Sequence, residues 1–201
     1  MKLTNEDILH FLRVAYFGDI KDKYDAASGR AYRDFCRTIR SQVFKEANIV
    51  EKESFRQGVT TYIRDEIEML KRDTNKSQDA FNAWHERVCL GIIAHFPFGE
   101  LHYGQAQKWI NMTFKYLCVL DDDSIKDAWF FPFLHVPMDN IIINVAVEAG
   151  LIERPIIRWS RWNKNQYKDY QAALIAAIHN SKGNNYPPLL WEFRNWKFDA
   201  E

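Results

Sequence analysis

Apolar residues recur at steps of three and four along most of this chain. Nowhere do they hold the two-residue alternation of a strand for long. Thr4 or Asn5 stands where an N-cap is expected, ahead of Ile8, Phe11, Leu12 and Ala15, and Gly18 closes that first segment. The same period predicts a second helix from about Ala26 to Ala47. It predicts a third from about Glu51 to Arg72, with Phe55, Val59, Tyr62, Ile63, Ile67 and Leu70 inward. After the polar loop Asp73 to Ser77, a fourth helix from about Gln78 to His95 carries Phe81, Trp84, Val88, Leu90 and Ile92. It stops at Phe96-Pro97, because proline disfavours helix in its predecessor.

A fifth helix is expected from near Tyr103 to Leu120, followed by Asp121-Asp122-Asp123 and an aromatic stretch from Trp129 to His135. A short apolar helix runs from Asn140 to Ala149 and ends at Gly150. The segment from Trp159 to Ile178 restarts a helix, capped at Ser160 or Asn163. Pro187-Pro188 opens the last, to about Trp196. There is no internal repeat and no low-complexity linker. The expectation is an all-α fold: one two-lobed domain over residues 1–201, of about eight helices.

Composition sharpens this picture. The 201 residues carry 27 Lys+Arg against 27 Asp+Glu, which excludes a polycationic coat for nucleic acid or membrane but not a local basic face. No apolar run approaches the ~20 residues of a membrane span. The start from Met1 to Asp7 lacks signal-peptide anatomy, so a cytoplasmic chain with no membrane contact is expected, with a monomer favoured. Cys36, Cys89 and Cys118 are far apart in apolar helical contexts. They are expected as buried free thiols rather than metal or cluster ligands. His95, His102, His135 and Asp139 lack metal-ligand spacing, so neither metal nor cofactor is expected.

Several patterns are candidates for chemistry, each with a plainer reading beside it. On the fifth helix, Ala106, Trp109, Ile110, Thr113, Leu117 and Leu120 form an apolar stripe. Lys108, Asn111 and Lys115 form a polar one. The polar stripe is either a solvated face or a phosphate-contacting one with Asn111 turned inward. Asp139 sits at a helix start behind Pro137, as an ordinary cap or as a fixed anion in a cleft. Trp129, Phe130, Phe131, Phe133 and His135 precede it as core or as a pocket wall, with Asn140 beside it.

Arg30, Arg33, Arg37 and Arg40 share a helix face at steps of three and four, with Gln42 just beyond. Between Leu151 and Lys182, six basic residues face two acidic ones. Trp159 and Trp162 interleave with Arg158, Arg161 and Lys164. Both sets suit phosphate contact with stacking, and both equally suit a solvated face.

The stretch Tyr103-Gly104-Gln105-Ala106-Gln107-Lys108-Trp109-Ile110-Asn111-Met112-Thr113-Phe114-Lys115-Tyr116, followed by His135-Val136-Pro137-Met138-Asp139, resembles the α-glutamyl/putrescinyl thymine pyrophosphorylase family. That family is similar to the helix-hairpin-helix DNA glycosylases. The resemblance implies a glycosylase-like fold, with Asp139 on the position of the catalytic aspartate. It implies DNA carrying hypermodified phage pyrimidines as the partner.

Two departures narrow the expectation. The interval from Asp121 to Phe131 has no glycine-rich hairpin for phosphate anchoring. The place of the family's lysine nucleophile is held by Leu120 and Asp121. The implied activity is therefore a monofunctional glycosylase without lyase chemistry. Its best substrate is glucosylated 5-hydroxymethylcytosine, and its role is antiphage defence. A pyrophosphorylase or transferase acting on modified thymine, and a non-catalytic nucleic-acid-binding module, are the alternatives. The implied pocket comprises His135, Asn140, Trp129, Phe131 and Asn111. The implied DNA contacts are Lys108, Lys115, Arg37, Arg40, Gln42, Arg158, Arg161 and Lys164.

Overall fold

Local capping decides where the helices begin. Thr4 accepts from Asp7 N, Asn48 from Glu51 N and Asn163 from Gln166 N, each in a reciprocal capping box. Asp139 caps its own helix by accepting from Ile142 N, without a reciprocal side-chain bond. The computed structural model describes residues 2–197 and is all-helical over them. Its helices are α1 (Asn5–Phe17), α2 (Lys23–Cys36), α3 (Gln42–Glu46), α4 (Ile49–Lys71) and α5 (Gln78–Ala94). There follow α6 (Tyr103–Val119), α7 (Asp123–Lys126), α8 (Asn140–Glu148), α9 (Lys164–Lys182) and α10 (Pro188–Asn195). Two 3-10 turns, Phe131–Phe133 and Trp159–Arg161, interrupt the connections. No described helix is long and apolar enough to cross a membrane.

α6 is the axis of the molecule. Every residue from Tyr103 to Phe114 is buried, and α2 is its most extensive neighbour, with α5, α9 and the Trp159–Arg161 turn also against it. Trp109 packs between Phe35 of α2, at a ring separation of 5.0 Å, and Phe55 of α4, at 5.5 Å. Its indole N–H donates to the Ser28 hydroxyl at 3.0 Å, so the polar edge of this large ring is satisfied inside the core. One continuous cluster of buried apolar residues runs from Phe17 to Trp191.

Two expectations need correction. The predicted second helix is two helices. Thr38 Oγ1 donates to Phe35 O at 2.7 Å, and Ser41 caps α3, so short polar side chains compete for the backbone between them. Arg37 therefore stands at the C-cap of α2 and Arg40 beyond its end. The predicted helix from Trp159 begins only at Lys164, behind Asn163.

The apolar residues of α1 before Phe17 face outward. Ile8, Phe11 and Leu12 are exposed, and the helix docks through its last turn. Arg13 Nε donates to Val119 O at 2.8 Å, and Phe17 meets the edge of Tyr116 at 5.4 Å.

The three thiols are unpaired. Cys89 is buried, Cys36 and Cys118 half-buried, and burial pushes all of them up, Cys36 to about 11 and Cys118 to about 12.

Candidate functional site

The start of α6 and the start of α8 meet beneath the Trp159–Arg161 turn. A glycine makes the approach possible. A methyl group at Gly104 would run into the Trp159 carbonyl oxygen, and Gly104 N donates to Trp162 O at 3.0 Å. This close seat brings Trp159 over Lys108, with Nζ 5.5 Å from the ring centre. The Trp159 indole N–H donates to Asn140 Oδ1 at 2.8 Å, tying the turn to the first residue of α8.

Under this cover Lys108 Nζ lies 2.5 Å from Asp139 Oδ2, with side chains only 10% and 15% exposed. Asp139 Oδ1 accepts from Ile142 N at 2.9 Å. The carboxylate thus faces an ammonium and a helix N-terminus together. Each oxygen has a second lone-pair direction left for a further donor.

A second pair, Lys115 Nζ to Glu192 Oε1 at 2.5 Å, follows along α6. Burial pushes the Glu192 carboxyl up and Lys115 opposes it; the Asp139 charge adds to the rise. Lys108 and Lys115 are therefore not the solvent-facing phosphate stripe that their spacing suggests. They are counter-charges to buried acids.

The third polar position of α6, Asn111, opens a chain of neutral hydrogen bonds. Gln107 Nε2 donates to Met138 O at 2.9 Å, beside Asp139. Asn111 Nδ2 donates to Gln107 Oε1 at 2.9 Å and to Tyr167 OH at 3.0 Å. Tyr167 OH lies 2.9 Å from His135 Nδ1, and His135 Nε2 lies 2.9 Å from Asn82 Oδ1. His85 Nε2 reaches Asn111 Oδ1 at 2.9 Å. The carboxamide oxygens only accept, so each imidazole donates from Nε2, and His135 Nδ1 accepts from Tyr167.

Burial lowers His85 to about 4 and His135 well below 6.5. Their rings stand 4.4 Å apart, which disfavours charge on both. Both are neutral at pH 7.

The remaining sequence candidates divide clearly. Arg40 and Arg161, far apart in the chain, line one cleft of about 300 Å³ with Thr38, Ser41 and His102 at the start of α6. Glu100 also lines this cleft. Among the described residues neither arginine has a carboxylate at ion-pairing distance. Arg158 is exposed next to the turn. Arg37 pairs with Asp34 at 3.4 Å, and Lys164 with Glu86 at 2.7 Å. Gln42 is exposed at the start of α3 and bonds to Glu46 at 2.6 Å.

The aromatic wall is half assembled. Phe133 and His135 line a common cavity. Trp129 is instead turned onto α4, its N–H donating to Leu70 O at 3.0 Å. Phe131 begins a 3-10 turn and is half-buried. His95 stacks on Tyr62 at 5.1 Å and His102 stands at the N-cap of α6. Among the described residues no three metal-ligating side chains gather.

Five residues of this region were not singled out from sequence: His85, Gln107, Tyr167, Gln171 and Glu192. Their signal was present, because polar residues stand on otherwise apolar steps of α5, α6, α9 and α10. No protein-family model, curated protein or solved structure matches this chain, so the site rests on its own geometry.

Proposed function

We propose that this chain is a monofunctional DNA N-glycosylase that removes a modified pyrimidine, with Asp139 as its essential carboxylate. The supporting observation is the occluded Lys108–Asp139 pair at the start of α8, with Trp159 against it. Cleavage of an N-glycosidic bond builds positive charge on the sugar as the base departs. A fixed anion in a site shielded from water favours that charge and steers a water to C1′. The water oxygen joins C1′, and its proton passes through the carboxylate to the leaving base. Such a carboxylate is worth on the order of 10²–10³ in rate.

Substrate contact in this reading comes from the Arg40–Arg161 cleft at the start of α6, whose two guanidiniums suit backbone phosphates. The base must leave the stack to be reached. The choice of a hypermodified phage base, with glucosylated 5-hydroxymethylcytosine first, rests on the resemblance of the Tyr103–Asp139 region.

Mass spectrometry of free base and abasic sites tests the proposal, with ordinary and hypermodified phage DNA as substrates. Release from modified DNA is expected, without strand cleavage in the absence of alkali. Asp139→Asn should abolish release while Oδ1 still caps α8, so a loss of activity separates chemistry from capping. No release from any modified DNA would overturn the proposal. Strand cleavage by the enzyme itself would instead make Lys108 a nucleophile. The double variant Arg40→Ala/Arg161→Ala should flatten the slope of log affinity against log salt by about 2. An unchanged slope removes the cleft from the interface.

A further inference from the structure

Beyond the Lys108–Asp139 site, a cavity of about 630 Å³ opens between α5, α9 and the Phe133–His135 segment. Its size lies within the range of small-molecule sites. Its floor is the neutral set His85, His135 and Tyr167, whose mutual bonds already use their N–H and O–H groups. Phe133 and Ile175 contribute apolar wall. Glu86, Lys168 and Asp169 also line the cavity, with Lys168 Nζ 3.4 Å from Glu86 Oε2, while the floor itself offers an ion no counter-charge.

One lining residue breaks the pattern of satisfaction. Gln171 is 2% exposed, and neither its Nε2 nor its Oε1 has a hydrogen-bond partner among the described residues. Tyr167, Gln171, Leu174 and Ile178 form the buried stripe of α9, where a leucine would serve packing better than an amide. Leaving a buried donor or acceptor unpaired is destabilising. Such an amide keeps a donor and an acceptor unused on one planar edge, in a residue that lines the cavity. The complementary edge is an N–H beside a C=O, as in a lactam. Asn82 lines the same cavity and half-buries a second amide there, its Oδ1 held by His135 and Gln78.

We infer that this cavity binds an uncharged lactam heterocycle of the pyrimidine type, held edge-on by the Gln171 amide against the Phe133 ring. The ligand arrives either as a free base or nucleoside or as a base swung out of a single strand. The inference holds whether or not Asp139 performs chemistry.

Calorimetric titration of the full chain tests it, with uracil, uridine, 1,3-dimethyluracil and single-stranded hexathymidylate as probes. Saturable one-to-one binding of uracil or uridine is expected. 1,3-Dimethyluracil lacks the N–H, and it should bind at least tenfold more weakly. Gln171→Leu should abolish binding and at the same time raise Tm by a few degrees. A merely structural glutamine would not give that opposed pair of effects. Ile175→Trp, which fills the cavity, should abolish binding as a second variant, and Asp139→Asn should leave it unchanged.

Hexathymidylate binding that Gln171→Leu removes identifies nucleic acid as the source. Binding of the nucleoside alone identifies a free metabolite. No saturable binding of any probe up to millimolar concentration overturns the inference. So does undiminished binding by Gln171→Leu.

Discussion

α6 and α1 carry similar helical periodicity and meet opposite fates. α6 is enclosed on all sides and takes lysine, asparagine and glutamine into the interior. α1 leaves Phe11 67% and Leu12 53% exposed, and it docks through Arg13, Tyr16 and Phe17. Amphipathic spacing reports that a helix has two kinds of face. It does not report how many neighbours the helix will have. A helix with neighbours all round must satisfy each polar group from within the protein. This is why every polar position in the middle of α6 finds a bond or counter-charge.

The sharpest way to break this comparison is to strip one counter-charge from α6. Lys115→Met leaves Glu192, 1% exposed, without a cation. Loss of a buried partner costs about 3–5 kcal/mol, read from urea denaturation at neutral pH. Adding Glu192→Leu should recover most of that loss. Equal losses in the single and double variants would mean that the pair does not act as a unit.

Acid should reach the same interior by another route. His85 titrates near 4 in the folded chain against an ordinary 6.5, so the unfolded chain binds more protons between those values. Stability is then full above about pH 6.5 and falls as pH drops toward 4, with His85 contributing roughly 3 kcal/mol. His135 acts in the same direction, and Glu192, raised by burial, acts against both. Urea midpoints measured from pH 7 to pH 4 should show a slope that His85→Gln reduces. A flat profile in the parent chain would contradict the neutral histidine pair.

Gly104→Ala tests the seat of the Trp159 turn. The added methyl must displace backbone, at a cost of about 1–3 kcal/mol and a matching fall in Tm. At the other pole of the comparison, Phe11→Ser or Leu12→Asn on α1 should change stability by no more than about 0.5 kcal/mol. A loss of 2 kcal/mol or more there would show that the exposed face is covered in solution.

Helix placement was largely legible in the sequence, because caps and prolines act over a few residues. The Asp139 cap and the Gly150 end of α8 are local features of this kind. The break after Cys36 was hidden, because Arg37 and Arg40 continue the helical spacing of Arg30 and Arg33 while Thr38 and Ser41 redirect the backbone. For the site, Asp139 could be read as a fixed anion. Its partner Lys108 is 31 positions away and reads as surface until tertiary packing buries it. The joining of Arg40 and Arg161 across one cleft is likewise a product of packing, with no local signature.

The three unpaired thiols have a consequence for kinetics. Cys36 ends α2, Cys89 lies within α5 and Cys118 near the end of α6, and burial keeps each in the poorly nucleophilic SH form. Alkylation of the fully buried Cys89 at neutral pH must therefore wait for α5 to open, whereas the half-buried Cys36 and Cys118 are partly accessible in the folded chain. The rate at which Cys89 is capped becomes a clock for the opening of α5, and it should be the slowest of the three.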